Sequence, residues 1–239
     1  MDYVEYFLTF LNIEDDLLSF IKNLEYTKES SRINSPRLSL LLLQTCPVIE
    51  SYMVKLATQS KKVISSDLYS WKLNWKLWEK KKNERKVKEK NGIRSITGFP
   101  KFSYVCETVF GLSEQKARFY FTDKYYFLHG HTANLFTEVF QPYKSLSSFI
   151  DYSKVTDESS LFPLGLKTPK WWTAYNKVKH SLEYSRDYVQ YQTVIEALSA
   201  LFILLCHCDV DTLTLQNNAF LRKYGAGSMI KTKLFEYER

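Results

Sequence analysis

Glycine, proline and cysteine are all scarce in this 239-residue chain, at 7, 6 and 4 residues. So few backbone breakers argue against a collagen-like, low-complexity or loop-dominated protein and favour helices. Cys46, Cys106, Cys206 and Cys208 are irregularly spaced. They do not make a disulfide framework, so a reducing, cytoplasmic setting is expected. Long apolar runs are missing too. The longest are "LSLLLL" (Leu38–Leu43) and "ALSALFILLC" (Ala197–Cys206), well short of the ~20 residues that cross a bilayer. No membrane partner is expected. The first residues, "MDYVEYFLTFLNIEDD", carry acids where a secretory leader needs lysine or arginine, so no leader is expected either.

Most catalytic signatures are also missing. The chain has no glycine-rich phosphate loop, no G-x-S-x-G and no acidic pair at motif spacing. His129 and His131 flank Gly130, and Cys206, His207 and Cys208 are consecutive. Neither group has the spacing of a zinc site, and neighbouring helix residues point in different directions. No metal and no cofactor are expected.

What the chain does have is apolar and aromatic content, at 45% and 16%, and a net charge of +7. The charge is local: Trp71 to Lys90 holds nine Lys/Arg against three Glu. Asp67 can cap a helix through this segment, which would place Trp71, Trp75 and Trp78 on one face. Read as an RNA-binding arm, it offers Trp71 and Trp75 to bases and Lys72, Lys76, Lys80, Lys81, Lys82 and Arg85 to phosphates. Read as packing, the tryptophans dock on the body and the lysines are solvated.

Apolar periodicity predicts helices over Tyr3–Leu11 and Glu14–Tyr26, with Leu17, Leu18, Ile21 and Leu24 as a stripe. Ser35-Pro36 opens a longer helix to about Ala57, with Leu40, Leu43, Val48, Met53 and Leu56 towards a core and Pro47 kinking or splitting it. "ARFYFTDKYYFLHG" alternates like a small β-hairpin. Gln141–Lys167 reads as mostly loop, Tyr188–Cys208 as an apolar helix and Asn217–Tyr224 as a short one. "SMIKTKLFEYER" can add a strand. The fold class is therefore mainly α with a small β element.

One segment combines unusual residues: "WWTAYNKVKHSLE", Trp171 to Glu183. Thr168 is a usable N-cap and Pro169 suits the first helical position. On such a helix Trp172, Asn176, Lys179, His180 and Glu183 share one side, and Trp171, Tyr175, Val178 and Leu182 form an adjoining stripe. With "SPRLSLLLLQTCPVIESYMVKLA" and the apolar helix after it, this segment resembles the HEPN superfamily. Asn176 and His180 match the second and last positions of its motif, as N-K-V-K-H. Looser relatives with W-x-x-Y-N-x-x-K-H match better, and Ile49, Glu50 and Lys55 sit in the places of a second signature helix. The resemblance covers about half of the chain.

It implies a single HEPN-like helical bundle over 1–239, with core blocks at about 35–57 and 168–208 and a basic helical insertion with a small β-hairpin at about 66–165. It further implies a homodimer, and a role on RNA in bacterial defence or stress response of toxin–antitoxin or abortive-infection type. Many members are metal-independent endoribonucleases; others are non-catalytic dimers that bind RNA, an antitoxin or another protein partner. Where the ribonucleases place arginine, this chain has Tyr175, which supplies no cation. The remaining groups suit the chemistry. His180 can act as acid or base, since an ordinary imidazole titrates at about 6.5. Lys179 brings positive charge, Asn176 positions by hydrogen bonds, and Glu50 is a supporting partner. The alternatives are that His180 ties helices together through Glu50 or Glu183, or that the protein is a scaffold without a nucleic-acid role.

Overall fold

The computed structural model describes residues 3–63, 99–121, 137–148, 168–181, 188–206 and 232–238. Its α-helices are α1 (Tyr3–Asn23), α2 (Pro36–Val63), α3 (Phe99–Phe110), α4 (Lys170–His180) and α5 (Tyr191–Cys206). The strands are β1 (Lys116–Tyr120), β2 (Thr137–Phe140) and β3 (Phe235–Glu238). Most described residues are helical, with one small antiparallel sheet in the order β2-β1-β3.

Helix α5 is the centre. A helix apolar on every side can only be stable when surrounded, and every residue from Ala197 to Leu205 is buried. It touches α1, α2, α4, β1 and β3. None of the described helices is long and apolar enough to cross a membrane. The stripe Val194, Ala197, Leu198, Leu201 and Leu205 is at most 1% exposed, as its spacing predicts.

The amino-terminal pattern predicts two helices, but α1 runs unbroken from Tyr3 to Asn23. Asn12 to Glu14 contain no breaker, and Phe10, Ile13 and Leu17 continue one buried face across the expected gap.

Helix α2 likewise passes through Pro47 without interruption. Proline removes one backbone donor, which leaves the carbonyl four residues earlier without its helical partner. Pro47 lies on the exposed side, where water can satisfy that carbonyl. Cys46, Ile49 and Met53, all at 0% exposure, hold the opposite side in the core. Pro47→Ala is therefore expected to raise stability by about 2 kcal/mol, the helix gain less the freedom returned to the unfolded chain. Denaturant unfolding measures this directly. Of the predicted α2 core face, Met53 and Leu56 are buried and Leu43 and Val48 pack half-buried against the core, but Leu40 is 59% exposed while Leu38, Leu41 and Leu42 point inward.

The sheet differs from a simple hairpin. β1 pairs with β2 on one side and with β3, 120 residues away, on the other, with Arg118 facing both Val139 and Glu236. The second half of the predicted hairpin falls within 122–136, outside the described residues, as does the predicted 217–224 helix. Alternation sends Ala117 and Phe119 inward. Phe119 then meets Phe235, with ring centroids 5.4 Å apart, and Phe235 reaches Phe10 at 6.0 Å and Phe202 at 5.7 Å. On the outer side Arg118 pairs with Glu238, and the Tyr120 hydroxyl donates to Glu236.

β3 is also fixed by a buried acid. Glu14 on α1 is 0% exposed, and its carboxylate accepts the backbone amides of Lys233 at 3.0 Å and Leu234 at 2.8 Å. At the end of α3, Gly111 adopts φ +58°, a left-handed conformation that favours glycine. Its amide donates to the Glu107 carbonyl at 2.8 Å. Residues from within 66–165 thus belong to the core: Phe99, Cys106, Phe119 and Tyr143 are at most 1% exposed.

Candidate functional site

Helix α4 is seated by its aromatics. Trp171 is fully buried, donates its indole N–H to the Pro142 carbonyl at 3.0 Å and meets Phe99 edge-on at 5.5 Å. Trp172 stacks on Phe99 at 4.0 Å and is 5% exposed. Its predicted place on the polar side is therefore corrected: the apolar face of α4 is wide enough to take both tryptophans. The start of the helix also differs. Pro169 is the cap itself, with no side-chain capping bond, and its carbonyl accepts the amides of Trp172 and Thr173, both at 3.1 Å. The Thr168 hydroxyl pairs instead with that of Thr173, at 3.1 Å.

The other side of α4 is open. Lys177, Lys179 and His180 are exposed and occupy the last turn, and Asn176 is half-buried beside them. Cations are favoured there because the unpaired carbonyls of a helix end carry partial negative charge. Asn176 and His180 are neighbours at i and i+4, as are Tyr175 and Lys179.

Tyr175 is the hinge between this edge and α2. It is 3% exposed, and the Lys179 ammonium lies 5.4 Å from its ring centroid. Burial pushes its hydroxyl pKa up, Lys179 opposes the rise, and Cys46 and Glu50 add to it. Glu50 therefore acts electrostatically on Tyr175. Among the described residues no hydrogen bond or ion pair joins Glu50 to His180, so the predicted Glu50–His180 tie is not what links these helices. Glu183 is outside the described residues. Of the second signature helix, Ile49 is fully buried and Lys55 sits over the Tyr6 ring at 5.4 Å.

Buried thiols flank the site without joining it. Burial pushes Cys106 up to about 12 and Cys46 well above the ordinary thiol range, which favours the neutral thiol at both. Among the described residues no group of three or more His, Cys, Asp or Glu could hold a metal ion. His129, His131, His207 and Cys208 lie outside the described residues, as do the arm residues Trp71, Lys72, Trp75, Lys76, Lys80, Lys81, Lys82 and Arg85.

A second polar group sits on α5, within electrostatic reach of Lys170 at the start of α4. The Glu196 carboxyl is pushed above its usual range by burial, against the pull of Gln192 and Lys170 and with Glu138 adding to the rise. Gln192 donates to it at 3.0 Å. An acid whose folded pKa is raised weakens the fold as pH climbs through the interval between its unfolded and folded values, because the folded state holds the proton longer. Glu196→Gln is thus expected to raise the melting temperature by a few degrees at pH 7. At pH 3, where the acid is neutral in both states, it should change nothing; thermal melts at the two pH values check this.

The sequence pattern finds Asn176, Lys179, His180 and Glu50. It misses the part Tyr175 plays in seating Lys179, and it misses Tyr188. That residue is 41% exposed and lies under the Lys177 ammonium at 5.5 Å. No local pattern marks an exposed tyrosine just ahead of an apolar helix. No family model matches the chain, and comparison with curated proteins and with solved structures found no match.

Proposed function

We propose that this protein is an HEPN-like module that acts on RNA at the outward edge of α4. The observation that carries the reading is the grouping of Lys177, Lys179 and His180 on one exposed helical turn with Asn176 beside them, on a helix whose aromatic face is committed to packing. In this reading His180 exchanges the proton of the ribose 2′-hydroxyl or of the leaving oxygen. Lys179 stabilises charge on the phosphorane, Asn176 orients the phosphate and Glu50 supports from α2 through Tyr175. No metal enters these roles. A two-fold homodimer would bring two such edges together. The setting is a cytoplasmic bacterial defence or stress system of toxin–antitoxin or abortive-infection type, and the Trp71–Lys90 segment serves as a basic arm for RNA.

A second reading is favoured by one specific observation. The place that holds arginine in the cleaving relatives is filled by Tyr175, which is buried and carries no cation. The module would then bind RNA or a protein partner without cleaving. Incubation of a mixed RNA pool with the protein in EDTA separates the two. Cleavage supports the ribonuclease. Retention of intact RNA, with affinity falling steeply as salt rises, supports the binding module.

A further inference from the structure

The last turn of α4 does not end at its own residues. Tyr188 stands next to it, and the Lys177 ammonium lies over one face of its ring at 5.5 Å. The residue is 41% exposed, whereas most described tyrosines and phenylalanines are buried. Its backbone is held from the other side. Val189 is fully buried, and the Tyr191 amide donates to the Ile33 carbonyl at 2.9 Å while its hydroxyl donates to the Leu24 carbonyl at 3.2 Å. Tyr188 thus stands exposed just ahead of an anchored segment. Lys177 and His180 are helix neighbours at i and i+3, so the ring belongs to the same edge as the groups assigned to the phosphate.

We infer that Tyr188 is a stacking shelf for a nucleobase, with Lys177 on one ring face and the base on the other. The inference rests on the RNA reading of the α4 edge and deepens it by naming a subsite. A flat aromatic face beside the Lys177 ammonium, with Lys179 on the same helical turn, suits a ligand that is itself flat and anionic, and a nucleotide is both. Stacking of this kind tolerates any base, because every base has a π-face. Specificity at this position is therefore for single-stranded, unstacked nucleotides rather than for a sequence. Phosphate contacts at Lys179 and His180 would set the register, and the shelf would hold the adjacent base out of its helical stack.

The test compares an oligo-adenylate of about eight nucleotides, the scale of a single-strand site, with inorganic polyphosphate, a polyanion without bases. Tyr188→Ala is expected to weaken oligo-adenylate binding roughly tenfold and to leave polyphosphate binding unchanged. Tyr188→Phe, which keeps the ring, should stay close to the parent on both. Equal losses on the two polyanions, or unchanged oligo-adenylate binding by Tyr188→Ala, would overturn the shelf while leaving the RNA reading in place. A parent protein that binds no RNA would sink the RNA reading instead. The shelf is then judged by adenosine monophosphate alone, followed through the Tyr188 ring protons by NMR. A shift with the nucleotide and not with ribose 5-phosphate upholds it; no shift refutes it.

Discussion

Glu14→Ala should cost about 3 kcal/mol or more, a large part of the roughly 5–15 kcal/mol that holds a domain together. The carboxylate is wholly buried and accepts two backbone amides from the 233–234 turn. Removing it leaves both donors without that acceptor, at about 1–3 kcal/mol for each buried unpaired group. The damage should spread further than α1. Without that anchor β3 loosens from β1, and Phe235 leaves the ring cluster it forms with Phe10, Phe119 and Phe202. Glu14→Gln keeps one acceptor oxygen but sets an amide N–H against a second donor, so it should fall between the parent and alanine. Denaturant unfolding gives the energies, and hydrogen exchange of the 233–238 amides locates the change. Protection in 233–238 equal to the parent's would show that the sheet holds without the carboxylate.

If the proposed ribonuclease reading holds, His180→Ala should reduce metal-free cleavage by roughly 10²- to 10⁴-fold, the usual contribution of a positioned acid or base. The structure makes this a clean experiment. His180 is exposed at the end of α4 and has no hydrogen-bond partner among the described residues. Exposed substitutions of that kind usually move stability by no more than about 0.5 kcal/mol, so a change in rate cannot be blamed on unfolding. Parent and variant are compared on the same RNA in EDTA, with thermal melts alongside. Cleavage that survives the substitution would remove His180 from the chemistry. A parent that binds but does not cleave would leave the non-catalytic reading.

The features legible in the sequence are those set by local spacing. α5 could be read because its apolar residues cover every side, so no choice of phase can go wrong. That Asn176, Lys179 and His180 share one side follows from the helix repeat alone. On α2 the repeat was visible but its phase was not: a run of four leucines fits several faces, and only packing against α1 and α5 decides that Leu41 and Leu42 turn inward and Leu40 outward. The sheet was the least legible element. β1 and β3 are joined by pairs such as Arg118 with Glu238 and Phe119 with Phe235, and nothing near either strand announces a partner so distant along the chain. Within the site, residue types pointed to acid, amide and cation. The seating of Lys179 on Tyr175 depends on Tyr175 being buried against α2, which is a tertiary fact.

The Glu14 anchor also bears on how the protein is made. The two amides that its carboxylate accepts lie 219 and 220 residues further along the chain. At roughly 5–20 residues per second of synthesis, the ribosome reaches them some ten to forty seconds after it has passed Glu14. During that interval α1 can coil, but its acid faces the core without those two donors. The contact between α1 and the 233–234 amides therefore forms late in synthesis, after the residues between them have been made.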